Sequence, residues 1–314
     1  MGEIRFNHET VERFAASLDL SSSSVASYKK CLTYFFDYLA DRGIGKPEAG
    51  HVAGYREALT AAGRRPSTVY NDLIAVRAFF QWTQAQGLYP NIAGRVKIPR
   101  VDHAPSRRTL TGAQLKTVLS SIGRESIRGL RDYAILTVML TGGLSSCEVS
   151  RANVGDAALA REGGTLSIRG GDGELQGAVR LPSRVVEALA EYLGARGPVE
   201  PDAPLFASVR RRDGHMSRGS VNRIVKEALR NAGFDDAMLS AQSLKFTAVR
   251  LALQGGERLE DVQRFARHKN IRTTFRYREQ SGVTSGPEKT SCGEEIARAV
   301  LRAEKTEDAG ASQP

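Results

Sequence analysis

A proline-punctuated basic stretch, Tyr89–Ser106, divides this chain into two blocks that cannot share one continuous element. Pro90, Pro99 and Pro105 alternate with Arg95, Lys97, Arg100, Arg107 and Arg108. Each proline fixes φ and removes a backbone donor. The composition therefore reads as an extended linker. A chain of 314 residues suits about two domains. In the plainest reading the linker is a solvated hinge. Between two basic domains it also suits the phosphate backbone of a nucleic acid.

The block before the linker is helical throughout. Val11, Phe14, Ala15 and Leu18 recur at helical spacing over Glu9–Leu18. Ser21–Ser24 offer N-caps for a second helix, about Val25–Arg42, with Tyr28, Cys31, Leu32, Phe35, Phe36 and Leu39 on one face. Gly43 suits its stop. A third helix runs over His51–Ala62. A fourth opens at Arg64-Arg65-Pro66-Ser67-Thr68 and runs to about Gln86, with Gly63 and Gly87 as the two stops. Four helices in about ninety residues make a compact bundle.

The second block mixes elements. Helices are expected at Ala113–Ile122, Arg128–Thr141, Ser183–Leu193, Ser220–Ala232, Leu244–Gln254 and Leu259–Ala266, with the apolar Arg128–Thr141 at the centre. Thr165–Leu181 reads as a β-hairpin whose turn is Gly170-Gly171-Asp172-Gly173. Pattern is lost over Ser281–Cys292. A short amphipathic helix follows at Glu294–Ala303, and Glu304–Pro314 has the composition of a disordered tail.

The net charge is +10. Such an excess suits a polyanionic partner, because neutralised phosphates release counterions; a generic basic surface has the same composition. No run of 18 or more apolar residues is present, so no membrane helix is expected. The start, Met1-Gly-Glu-Ile-Arg-Phe, lacks the apolar core of a signal peptide. Cys31, Cys147 and Cys292 are few, odd in number and far apart, which argues against disulfides and zinc. A cytoplasmic protein with reduced thiols is expected, with Cys31 and Cys147 as small core residues.

Three blocks in the second half carry chemistry. They are Gly142-Gly-Leu-Ser-Ser-Cys-Glu148, Gln242-Ser-Leu-Lys245, and Ala266-Arg-His-Lys-Asn-Ile-Arg-Thr-Thr-Phe-Arg-Tyr277. In this order, with the hairpin between the first two, they resemble the tyrosine recombinase (phage integrase) family. The resemblance runs from about Glu9 to Glu279. It implies a mainly α fold with a small β-hairpin or sheet. An N-terminal four-helix core-binding (SAM-like) domain would span 1–88, with the basic linker over 89–108. A mixed α/β catalytic domain would span 109–290, and a C-terminal helix and tail 291–314, the helix able to dock on a neighbouring protomer.

The resemblance also implies a reaction. A tyrosine attacks a phosphodiester and stores its energy as a 3′-phosphotyrosine, without metal or cofactor. Two arginines clamp the phosphate through planar forks, and a hairpin lysine protonates the leaving oxygen. Aligned on Glu148, Tyr277 falls at the nucleophile and His268 at the family's His-or-Trp position, for a phosphate contact or an orienting role. Ser145 stands at the first arginine, Lys245 at the second, Gln242 at the histidine of the His-x-x-Arg block, and Gly171 at the lysine. Losing one such donor costs roughly 3 kcal/mol or more. Arg151, Arg169 and Arg267 are placed where they could compensate, and Arg180 also flanks the hairpin; as bare positions, each better suits a solvated surface arginine. Tyr277 by itself suits packing, and Gln242 with Lys245 suits a polar helix end.

Arg64, Arg65, Lys97, Arg100, Arg107 and Arg108 are the expected phosphate contacts, with the Arg210-Arg211-Arg212 run a further candidate or a solvated loop. The expected partners are double-stranded DNA and other recombinase subunits in a homo- or hetero-multimer, with no membrane. Two functions follow: a site-specific recombinase or integrase of a mobile element cutting through Tyr277, or a DNA-binding accessory relative that needs an active paralogue.

Overall fold

The computed structural model describes residues 6–99, 108–171, 173–208, 214–281 and 292–301. Two compact units are present, Met1–His103 and Ala104–Pro314.

In the first unit the helices are α1 (His8–Ala16), α2 (Ser22–Ala40), α3 (Ala49–Ala61) and α4 (Pro66–Ala85). Each start has a local cause. The Asn7 side chain accepts from Thr10 N at 3.1 Å, and Ser21 caps α2. Pro66 sits in the first turn of α4, where a missing N–H does no harm. The core is strongly aromatic. Phe79 meets Phe36 edge-on at 5.3 Å and Phe14 at 5.6 Å, over buried Leu32, Phe35, Val76 and Phe80.

The stretch expected to be an extended linker is packed on this core from Tyr89 to Ile98. Ala93 is buried, with Ile92, Val96 and Ile98 beside it. Arg77 donates to the Val96 carbonyl at 2.6 Å, and the Tyr89 hydroxyl to the Pro47 carbonyl at 2.8 Å. The apolar residues between the prolines bury surface that a solvated linker would leave wet. The residues packed on the first core thus extend to Ile98. Arg100, Arg107, the Arg210–Arg212 run, most of the patternless stretch after Ser281 and the tail from Glu304 lie outside the described residues.

The second unit begins with α5 (Gly112–Ser120), whose N-cap Thr111 forms a reciprocal capping box with Gln114. Helix α6 (Ile127–Thr141) is buried on all sides from Tyr133 onward and forms the hub. Next come α7 (Ser146–Arg151), a single 3-10 turn, and strands β1 (Ala157–Ala160), β2 (Gly163–Arg169) and β3 (Leu175–Pro182). The sheet is antiparallel in the order β1-β2-β3, pairing Ala157 with Leu166 and Leu166 with Val179. Leu166, Ile168, Val179 and Leu181 turn one face into the core.

The remaining helices are α8 (Ser183–Arg196), α9 (Arg218–Asn231), α10 (Ala241–Gln254), α11 (Leu259–Ala266), α12 (Ile271–Ser281) and α13 (Cys292–Leu301). Strand β1 and helices α7 and α12 were not expected from the sequence pattern. Helix α13, expected to be able to dock on a neighbour, lies on its own chain: Ile296, Ala297, Val300 and Leu301 join the main core against α5, α6 and α10. Gly293 allows the approach, since a Cβ there would stand 2.7 Å from the Thr141 carbonyl oxygen.

Candidate active site

The site is built from two helix ends that meet at one carboxylate. After α6 the chain turns through Gly142 and Gly143; Gly143 has φ 58°, and the Phe265 ring lies 3.0 Å from where a Cβ would stand. Ser145 then caps α7. Its backbone N–H donates to Glu148 Oε2 at 2.6 Å, while Glu148 N donates to Ser145 Oγ at 3.3 Å. This capping box aims the Glu148 carboxylate inward, where its side chain is only 14% exposed.

Arg267 comes to that carboxylate from the C-cap of α11. It is the one non-glycine residue with positive φ among the described residues, at φ 56°, ψ 39°. An L-residue held there costs roughly 1–2 kcal/mol. Its guanidinium uses all five N–H groups. Nε donates to Glu148 Oε1; Nη2 donates to Glu148 Oε2 at 3.2 Å and to the Gly143 carbonyl at 2.7 Å. Nη1 donates to the carbonyls of Gly142 at 3.2 Å and Phe265 at 2.8 Å.

Lys245, buried on α10, places Nζ 3.7 Å from Glu148 Oε2. Burial pushes the Glu148 carboxyl up, but the Arg267 hydrogen bond and charge, with Lys245 and the Ser145 amide, outweigh it and hold the group at about 2. Burial lowers the Lys245 ammonium, with Glu148 opposing and Arg267 adding to the fall. The result is one buried anion between two cations.

His268 and Tyr277 lie next to this cluster. Helix α12 brings them face to face, with ring centroids 5.9 Å apart and planes at 18°. Phe246 covers the tyrosine ring at 4.9 Å. Tyr277 is 6% exposed and belongs to a small core with Val249, Leu253, Val262 and Cys292, so its ring is seated rather than presented to solvent. His268 Nδ1 and the fully buried Thr274 Oγ1 are 2.9 Å apart. Burial, then the Lys245 and Arg267 charges, lower His268 to about 4, so the imidazole is neutral near pH 7.

Gln242 points elsewhere. It lines an open polar pocket of about 420 Å³ with Ser145, Cys147, Arg218, Asn222 and Lys226. Cys147, expected in the core, is half-buried on this wall. Arg218, Asn222 and Lys226 follow one another at four-residue spacing along α9 and so share a face. Ser146 Oγ donates to Asn222 Oδ1 at 2.7 Å, joining α7 to α9. These α9 residues were missed by sequence reasoning; the signal was a polar stripe on a strongly amphipathic helix.

The other candidates are dispersed. Arg151 Nη2 lies 3.9 Å from where a Cβ on Gly171 would stand, so a guanidinium flanks this position of the hairpin. Arg169 is held in a fork on Asp156, with Nε–Oδ2 and Nη2–Oδ1 both 2.7 Å, and also donates to the Gly173 carbonyl. Arg180 is exposed on β3. Arg64 and Arg65 are exposed at the start of α4, as is Lys97. Arg108 pairs with Asp236 at 2.9 Å. Among the described residues no group of three or more His, Cys, Asp or Glu gathers to hold a metal ion.

The sequence profile of the Phage integrase family matches residues 108–282, and that of the phage integrase N-terminal SAM-like domain matches residues 11–87. The chain is 30% identical over 266 residues to tyrosine recombinase XerC of Pelobacter propionicus, covering 82% of this chain and 85% of that one. It is 26% identical over 296 residues to tyrosine recombinase XerD of Bifidobacterium longum, covering 90% and 95%. Among solved structures, XerH bound to difH before cleavage superposes with a TM-score of 0.70 at 19% identity, over 86% of this chain and 81% of that one. A lambda integrase tetramer bound to a Holliday junction gives 0.68 at 14% identity, over 92% and 81%. With both family profiles matched, and with a capped α7, a small antiparallel sheet and a His268–Tyr277 pair in the second unit, the chain belongs to the phage integrase family, the tyrosine recombinases.

Proposed function

We propose that this protein works in site-specific DNA recombination as a subunit that grips duplex DNA, with strand cleavage resting mainly on an active partner recombinase. One observation carries this reading: Arg267, the guanidinium at the centre of the site, has all five N–H groups bound by protein. A transferring phosphate is clamped by forked cations, and Lys245, already beside Glu148, is a point charge without a fork. Ser145 and Gln242 add neutral donors only. Arg218 and Lys226 suit a DNA phosphate held for grip rather than for reaction. The XerC and XerD relatives are recombinases, and the lambda integrase likeness is to a tetramer on a junction; by analogy we assign this chain to a multimer on duplex DNA. Integration or excision of a mobile element is the setting we propose, on the family resemblance alone.

A second reading keeps cleavage in this chain through a 3′-phosphotyrosine at Tyr277. Arg151 favours it, since its guanidinium stands beside Gly171, where the family's lysine would reach in. A nicked suicide duplex separates the two readings. The expected result is tight binding without a covalent adduct on a denaturing gel, and an adduct only when an active partner recombinase is added. An adduct formed by this protein alone, and lost in Tyr277→Phe, would establish the second reading. No binding to duplex DNA would sink both.

A further inference from the structure

We propose that Arg267 is a positioning residue rather than a DNA ligand: its guanidinium clasps Glu148 and the Gly142–Gly143 turn, and takes the place of a cation at position 145. The part that concerns DNA rests on the reading above; the clasp stands on its own geometry.

Three observations converge. First, the fork is saturated. Two donors go to Glu148, two to the Gly142 and Gly143 carbonyls through opposite amino groups, and a fifth to Phe265. A phosphate would have to displace buried protein acceptors to reach it. Second, the backbone pays no heed to ordinary preference there. Arg267 is held left-handed, where glycine is at ease, and the side chain is what the position gains in return. Third, position 145 faces the same carboxylate: its amide is 2.6 Å from the Glu148 Oε2 that Arg267 Nη2 also binds at 3.2 Å. An arginine side chain at 145 and the one at 267 would therefore compete for one anion, which already has Lys245 nearby. Arg267 is also followed directly by His268, whose amide donates to the Gln263 carbonyl. Clasping Arg267 thereby fixes the entry to α12 and the seat of the His268–Tyr277 pair.

The test compares the full chain with Arg267→Gly, Arg267→Lys, Ser145→Arg, and Ser145→Arg combined with Arg267→Gly. Thermal midpoints and the salt dependence of affinity for a generic duplex are measured. Glycine suits the left-handed backbone, so a loss in Arg267→Gly does not come from backbone strain in the folded state. The midpoint should fall by roughly 6 °C or more in Arg267→Gly, and Arg267→Lys should also fall, since lysine lacks the fork. Ser145→Arg loses the α7 cap in both backgrounds, so it should lower the midpoint clearly more when Arg267 is present than in the Arg267→Gly background. That difference is a coupling that two unrelated structural roles would not produce. The slope of log affinity against log salt should be unchanged in Arg267→Gly. The clasp is overturned if Arg267→Gly keeps its midpoint or if Ser145→Arg costs the same in both backgrounds. A slope reduced by about one overturns the non-ligand assignment. Should Arg267→Gly fail to fold, folding of the combined variant supports the clasp and its failure overturns it. If the wild type binds no duplex, the reading above falls while the thermal comparisons still decide the clasp.

Discussion

Glu148 is the residue on which most of the site's electrostatics turn. Its carboxyl is held at about 2, far below its ordinary 4.5, because burial is outweighed by Arg267, Lys245 and the Ser145 amide. A carboxylate lowered in the folded state stabilises the fold above its unfolded value, and that contribution is lost as pH falls from about 4.5 toward 2. Glu148→Gln should cost about 3 kcal/mol at pH 7, since it leaves two buried cations without their anion; urea unfolding measures it. His268 has the other acid sensitivity. Between pH 6.5 and about 4 the unfolded chain takes up a proton that the folded imidazole refuses. Stability should therefore decline over that window, by roughly 2–3 kcal/mol at pH 4.5. His268→Gln should flatten this part of the profile, and a fall of equal size in the variant would show that another group is responsible.

At the scale of elements, α12 shows how a weak pattern becomes a firm helix. Among the described side chains of α12 only Thr274 and Tyr277 are buried, among Arg, Thr and exposed Phe275, so its own sequence carries little helical signal. The His268–Thr274 contact and the Phe246 ring settle it from outside. Helix α13 depends on a close approach at Gly293. Gly293→Ala would press a methyl against the Thr141 carbonyl oxygen, and overpacking of this kind costs typically 1–3 kcal/mol. Faster amide hydrogen exchange in α13, with the centre of α6 unchanged, is the expected outcome. Unaltered α13 protection would mean the approach relaxes freely.

For the whole molecule, the two units have separate cores, one aromatic and one centred on α6. Phe79 sits fully buried among Phe14, Phe36 and Phe80. Phe79→Ala should cost the first unit about 3–5 kcal/mol through the cavity it opens. Calorimetry should then show the first unit's transition lowered and the second unit's unmoved. A single transition that moves as one would show that the units fold together. The proposed adhesion to DNA belongs to the same scale: with a net charge of +10, affinity for any duplex should fall steeply as salt rises.

The helices with strong periodicity, from α1 to α6 and again at α8 to α11, were legible in the sequence within a few residues, because one buried face repeats at 3.6. The hairpin was legible from its Gly-Gly-Asp-Gly turn, and the order of motif blocks pointed to the family. Strand β1 was not legible, since Ala-Ala-Leu-Ala has no strand preference of its own and is made a strand by pairing with β2. Nor was α7, a six-residue helix set by a capping box. The sequence alone determined the identity and order of the side chains in the motif blocks, among them Ser145, Gly171, Gln242, Lys245, His268 and Tyr277. What each can reach was decided by tertiary structure, because a charge is free or occupied only through its spatial neighbours. Arg169 is paired with Asp156, Arg151 stands beside Gly171, and Arg267 closes on a carboxylate 119 residues earlier in the chain.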